Sequence, residues 1–378
     1  MRPSTRVSNR QPVLRFLIGA AAFVIFVAGI RAASPIAVPF LMALFVAVIA
    51  TPVFLALQRH GMPSWLALLI LVLGLVLIVL GLAGVVSTSV TDFTRNLPAY
   101  QERLQVQLQG TVAWVEERGI EVPEELQAIT INPQATMRLV GSILASIGSL
   151  LSSSFLILLI VFFLLLEVAI LPSKVRGLEG LSEETIRYVG RIVEDIRHYV
   201  ALKTVMSILT GGLVTGFAVL LQIDYPILLG LIAFLLNYVP TIGSIIAAVP
   251  GVLLAVVQYD LSHGFWTTLG YLAINVGVSN FLEPRYLGRG LGLSPYIIII
   301  SMFFWGWVFG PIGMLLSVPI TMAMKIGLEA SSETRWIAVL MGPSVSSGRS
   351  PAMEKAASLS RTSETTTNPG KEAPETPS

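Results

Sequence analysis

Apolar residues gather into eight long stretches: 14–31, 35–57, 65–88, 143–171, 204–223, 226–257, 262–281 and 295–327. About 20 apolar residues in a helix cross the ~30 Å hydrocarbon core of a bilayer, and each stretch approaches or exceeds that length. Between them the pattern turns amphipathic. Leu97, Tyr100, Leu104, Leu108 and Val115 recur at helical spacing among Gln and Glu, and Ile186, Val189, Val193, Ile196 and Val200 form a second stripe. The second stripe predicts a helix capped by Ser182, with Arg191 and Asp195 at i,i+4 on its charged face. Asn132-Pro133 predicts the start of a long fourth helix. The expected fold is an all-α polytopic membrane protein with about eight hydrophobic segments and amphipathic helices outside the bilayer.

Two stretches do not read as simple spans. Residues 226–257 are interrupted at Asn237–Gly243, and residues 295–327 at Gly310-Pro311-Ile312-Gly313. Proline removes a backbone donor, and non-helical backbone at membrane depth is tolerated only against protein or a watered cavity. The two also resemble each other. Each opens with a proline, carries Ile-Gly at the break and closes with Val-Pro. The closing proline follows the opening one by 24 positions in both (226 to 250, 295 to 319), while the Ile-Gly pairs are offset by one. Each follows an intact span, 204–223 or 262–281. The expected arrangement is a pair of re-entrant hairpins of opposite orientation, with single broken crossings as the alternative. Paired interruptions of this kind are the sequence pointer to a transporter's binding site.

Charge supplies orientation. Arg2, Arg6, Arg10 and Arg15 place the N-terminus, residues 1–13, in the cytoplasm. The first span has no A-x-A exit and runs directly into the second, so it is not expected to be a cleaved signal. Three spans then leave the acid-biased segment 89–142 outside, and the fourth returns the chain to a segment, 172–203, carrying Lys174, Arg176, Arg187, Arg191, Arg197 and Lys203. Residues 204–327 form the expected transport core within a transporter domain spanning 14–341. The Ser-, Thr-, Pro- and Glu-rich tail 342–378 is expected to be disordered, and both termini cytoplasmic.

Composition agrees: 54% hydrophobic, 12% charged, with a mean hydropathy of +0.80. The net charge of +2 gives no basis for a nucleic-acid partner. Zero cysteines remove thiol and Fe–S chemistry, and His60, His198 and His263 are scattered, so no metal or cofactor is expected. There is no P-loop, H-E-x-x-H or G-x-S-x-G motif, which argues against an enzyme. The intramembrane polar inventory is mostly neutral. Asn237, Tyr238, Pro240, Thr241 and Gly243 lie at the first break, Asn275, Ser279 and Asn280 on the seventh span, and Gly310, Pro311 and Gly313 at the second break. Amides and hydroxyls both donate and accept, which suits a small polar solute or a stripped cation. Glu283 and Arg285, flanking Pro284, are candidates for coupling or gating, or for a local ion pair. "GLVTG" (212–216) and "GWVFG" (306–310) fit close helix packing, and Asp224 is expected in a solvated external turn.

Several of these segments carry a resemblance. "SNFLEPRYLGRGLGLSP" (279–295), "LNYVPTIGSIIAAVP", "FFWGWVFGPIGMLLSVPITMAMKIGLE" and "HYVALKTVMSILTG" resemble the autoinducer-2 exporter family of bacterial multispan permeases, most closely its quorum-sensing branch. The similarity covers roughly residues 14–341. It implies export of autoinducer-2 across the bacterial inner membrane by a homo-oligomer, with a pentamer among the candidates. Other members of the family are described as Na⁺(Li⁺)/H⁺ antiporters, so an antiporter is the second reading and a membrane scaffold the third. Ser279 stands where the family motif has Gly.

Overall fold

The computed structural model describes residues 10–119, 138, 140–143, 154–176, 183–287, 292–331 and 333–342. Asn132-Pro133, the Ser182 cap, the Arg191 side chain, Arg289 and the tail after 342 lie outside them. The described residues form helices and turns without strands. In order the helices are α1 (Arg10–Ala32), α2 (Ser34–Arg59), α3 (Ser64–Glu116), α4 (Ser154–Arg176), α5 (Glu183–Leu220), α6 (Pro226–Leu236), α7 (Ile242–Gln258) and α8 (Leu261–Val276). A π turn (Gly277–Leu282) leads into α9 (Glu283–Leu287), then come α10 (Pro295–Phe309), α11 (Pro311–Glu329) and α12 (Arg335–Met341).

Among the described residues four helices are long and apolar enough to cross a membrane: Ser34–Arg59, Ser64–Gln107, Val193–Leu220 and Pro311–Glu329. The outer faces of the helices carry large apolar side chains in the open, such as Ile36 and Phe155 at 80% exposure and Leu220 at 77%. Contiguous exposure on that scale fits a lipid solvent. Hydroxyls in these apolar helices are satisfied locally: Thr51, Thr88, Thr91, Thr94, Thr204, Thr210 and Thr215 each donate to the carbonyl four residues back.

Two boundaries drawn from hydropathy are not boundaries of the backbone. Residues 65–88 and the segment after 89 belong to one 53-residue helix, α3, which continues through Pro98. Likewise the amphipathic segment ending at 203 and the span beginning at 204 are one 38-residue helix, α5. Hydropathy reports what surrounds the side chains, whereas the i→i−4 ladder does not stop where the surroundings change. The stripe on α3 does face the core, with Tyr100 and Leu104 buried and Leu97 packed against them. On α5, Val200 and Ile196 turn inward but Val193 is exposed.

Both interrupted segments fold back on themselves. At the base of the first, the backbone N–H of Asp224 donates to Gln258 Oε1 at 3.2 Å, and Tyr259 donates its hydroxyl to the Gln222 carbonyl at 3.1 Å. The second is stitched across its arms by Trp305 Nε1 donating to Thr321 Oγ1 at 3.1 Å, and near its base by Lys325 Nζ donating to the Gly292 carbonyl at 2.7 Å. Residues 305 and 321 would lie roughly 24 Å apart in a continuous helix, at 1.5 Å per residue. The Asp224 turn is also not simply solvated: its carboxylate accepts the Tyr100 hydroxyl at 2.7 Å, and Asn96 donates to the Tyr225 hydroxyl at 3.2 Å. These bonds tie the far half of α3 to the base of the first folded pair. At the adjoining turn Asp260 caps α8, and the His263 backbone N–H and the Ser262 hydroxyl hold its carboxyl below the usual range.

Small residues set the remaining contacts. Ala43, Ala47 and Ala50 on α2 let Val161 and Leu165 of α4 approach closely. The pairing expected from Gly212 and Gly216 is displaced by one position, since a Cβ on either would meet nothing within 4 Å. Gly211 makes the contact instead: its Cβ would lie 2.7 Å from the Gly230 carbonyl of α6. In the other candidate motif, Gly306 packs on Met314 while Gly310 only makes the turn, at φ +69°.

Candidate functional site

The tips of the two folded pairs face one another across a shared cavity. In the first, α6 ends at Leu236 and the chain turns through Asn237–Thr241, with Thr241 in the left-handed region at φ +59°. A β-branched residue there is a genuine outlier, and such strain is held only where the surroundings enforce it. In the second, Gly310 at φ +69°, ψ −153° occupies a region essentially confined to glycine. The repeated Ile-Gly now has a physical reason. A Cβ on Gly243 would lie 1.9 Å from the Leu236 carbonyl oxygen, and one on Gly313 would lie 1.9 Å from that of Trp305. Both carbonyls are ten positions after the opening proline (236 − 226 and 305 − 295), so the offset of one arises in the turn itself.

Between the tips lies a cavity of about 290 Å³, walled by Leu236, Val239 and Gly243 on one side and Pro311, Ile312 and Leu315 on the other. Its lining is aliphatic. Of the residues expected to meet a polar solute, only Gly243 and Pro311 reach it. Asn275 is half-buried and donates to the Tyr271 carbonyl of its own helix at 2.9 Å. Ser279 is half-buried in the π turn, while Asn280, Thr241 and Arg285 are exposed. Neither Asn275 nor Asn280 stands between the tips, because α8 packs against α7 and α5.

The polar groups gather instead along α5. Tyr199, Lys203, Ser207, Gly211 and Thr215 succeed one another at four-residue spacing, a single ridge of the helix. Its upper part accommodates α6 at Gly230, where a Cβ would collide with the Thr215 hydroxyl. Its lower part and the adjacent Thr204 receive the first tip. Asn237 Nδ2 donates to Ser207 Oγ at 3.0 Å and the Tyr238 hydroxyl donates to Thr204 Oγ1 at 2.8 Å, both from buried positions. Phe45 and Phe234 hold the Tyr238 ring edge-on, at 5.4 and 5.7 Å.

Glu283 completes the cluster. Its carboxylate accepts Lys203 Nζ at 2.6 Å, with the two side chains only 16% and 8% exposed. The expected local pair with Arg285 does not form, because positions i and i+2 on a helix point apart. The π turn preceding Glu283 adds one residue to its turn, which rotates α9 by roughly 100° relative to an unbroken helix. Charge counting places Lys203 among the cytoplasmic surface cations, and the structure buries it. The four-residue spacing Tyr-x3-Lys-x3-Ser is the sequence signal that marks it.

Paired folded helices, an apolar outer surface and an ion pair withdrawn from water fit a polytopic membrane protein, and the family match makes it a transporter. The description "AI-2E family transporter" matches residues 20–333, and the chain belongs to that family. It is 38% identical over 332 residues to the AI-2 transport protein TqsA of Escherichia coli, covering 87% of this chain and 95% of that one. A Haemophilus influenzae relative is 34% identical over 345 residues, 89% of this chain and 98% of its own. A sodium-lithium/proton antiporter of Halobacillus andaensis is 24% identical over 252 residues, 66% and 67% respectively.

Proposed function

We propose that this protein is a secondary transporter that exports autoinducer-2, a small polar signal, across the bacterial inner membrane. The carrying observation is 38% identity to the AI-2 transport protein over nearly its whole length. In this reading the folded pairs α6–α7 and α10–α11 are re-entrant hairpins and both termini are cytoplasmic. Protomers assemble as a homo-oligomer. The aliphatic cavity between the tips is the closed barrier, and the solute meets Asn237, Tyr238 and the polar ridge of α5 when the tips part. Sodium or lithium/proton exchange is the second reading. It is favoured by the buried Lys203–Glu283 pair, since ionisable groups within membrane helices mark ion pathways.

Everted vesicles separate the two. Vesicles carrying the protein are expected to accumulate autoinducer-2 above empty-vector vesicles, with no sodium-dependent proton movement. Proton movement that requires sodium and disappears in Glu283→Gln, without autoinducer-2 flux, establishes the antiporter instead. Neither flux would leave a scaffold.

A further inference from the structure

We infer that Lys203 is a tethered cation occupying a monovalent-cation site centred on Glu283. This deepens the transporter reading by assigning its coupling ion, although cation binding itself can be measured without any transport.

A buried ion pair is a poor fastener. Each partner loses its hydration, and an apolar pair of similar volume serves stability as well or better. The Lys203–Glu283 pair joins α5 to α9 where aliphatic residues would pack, so its chemistry asks for another explanation. Lysine's ammonium is a compact point charge with three donors on a flexible four-carbon stem. It can sit on a carboxylate as a dehydrated Na⁺ or Li⁺ would, and it can withdraw along the helix when displaced. Both side chains are largely buried, Glu283 at 16% exposure and Lys203 at 8%. Tyr199, one turn before Lys203 on α5, is buried in the same cluster as Tyr238. Lys325 and Arg285, two other cations among the described residues, are committed or turned away. Lys325 is held by the Gly292 carbonyl and by Glu329 at 3.2 Å, and Arg285 faces outward.

Exchange of Lys203 for a free cation would release α9 from α5. The hydrogen bonds that Asn237 and Tyr238 of the first tip donate to Ser207 and Thr204 end within about one turn of Lys203 on the same helix. Ion binding at Glu283 and opening of that tip therefore share one element, which is what coupling requires.

The test is thermal unfolding of the purified full-length protein in NaCl or LiCl against choline chloride at equal ionic strength. Lys203→Met is expected to be unstable in choline and to recover in Na⁺ or Li⁺, with an apparent affinity at least tenfold tighter than wild type. Glu283→Gln and the double variant should lose the cation response. Should Lys203→Met fail to fold, Lys203→Gln keeps an amide donor and should show the same response more weakly. A Lys203→Met protein that is stable in choline, or that responds to choline as well as to sodium, overturns the inference, as does an unresponsive Lys203→Gln. A sodium response without autoinducer-2 flux in vesicles upholds the cation site and sinks the cargo. Flux with no response does the reverse.

Discussion

Gly243→Ala is expected to lose most of its folded protein, and Gly313→Ala to match it. The added Cβ would lie 1.9 Å from a backbone carbonyl in each case, where real Cβ atoms essentially never come within 3.0 Å. A side chain could swing aside, but here the neighbour is main chain, so the tip itself must open. Overpacking costs about 1–3 kcal/mol, and more where the backbone has to move. The controls are Gly212→Ala and Gly216→Ala, which meet nothing within 4 Å. Alanine there should be neutral, or stabilising by up to about 1 kcal/mol, because glycine is the poorer helix former. Unfolding temperature in detergent and monodispersity on size exclusion read the difference. Equal stability across all four variants would mean that the tips are not closed as described.

A cross-link between the tips should reduce transport to background. The chain contains no cysteine, so Val239→Cys and Ile312→Cys introduce the only thiols. Both positions wall the same cavity, one from each folded pair. A short reducible bis-thiol reagent bridging them would prevent the tips from parting, and autoinducer-2 accumulation in everted vesicles should stop. Reductant should restore it. Each single-cysteine protein, treated with the same reagent, should retain activity, which separates tethering from mere filling of the cavity. Transport at the untreated rate in the bridged protein would show that solute does not pass between the tips.

The two experiments probe different links. The glycine substitutions ask whether the turn geometry is needed for folding, and the tether asks whether the junction of the turns must move. A protein that needs glycine at 243 and 313 to fold yet ignores the tether would keep its architecture and place its pathway elsewhere, along the polar ridge of α5.

The local grammar of this chain was legible in its sequence. Apolar runs of spanning length make helices in lipid, and Pro226, Pro295, Gly310 and Pro311 start or break them, because each acts through its own φ, ψ or missing atom. Even the repeated Ile-Gly was visible, offset included. The tertiary structure alone decided what those residues face. Glu283 finds Lys203, 80 positions away, and not its neighbour Arg285, since a pairing of that kind depends on how α9 is turned by the π turn and laid on α5. Gly211 rather than Gly212 makes the close contact with α6, because helix docking selects a ridge that differs from its neighbour by one residue. Asn237 and Tyr238 lean on α5 and leave the tip cavity aliphatic, as those donors are satisfied wherever partners are nearest. Sequence periodicity specifies an element and its breaks. The side of the element on which a buried charge is neutralised is settled only when a second element arrives to neutralise it.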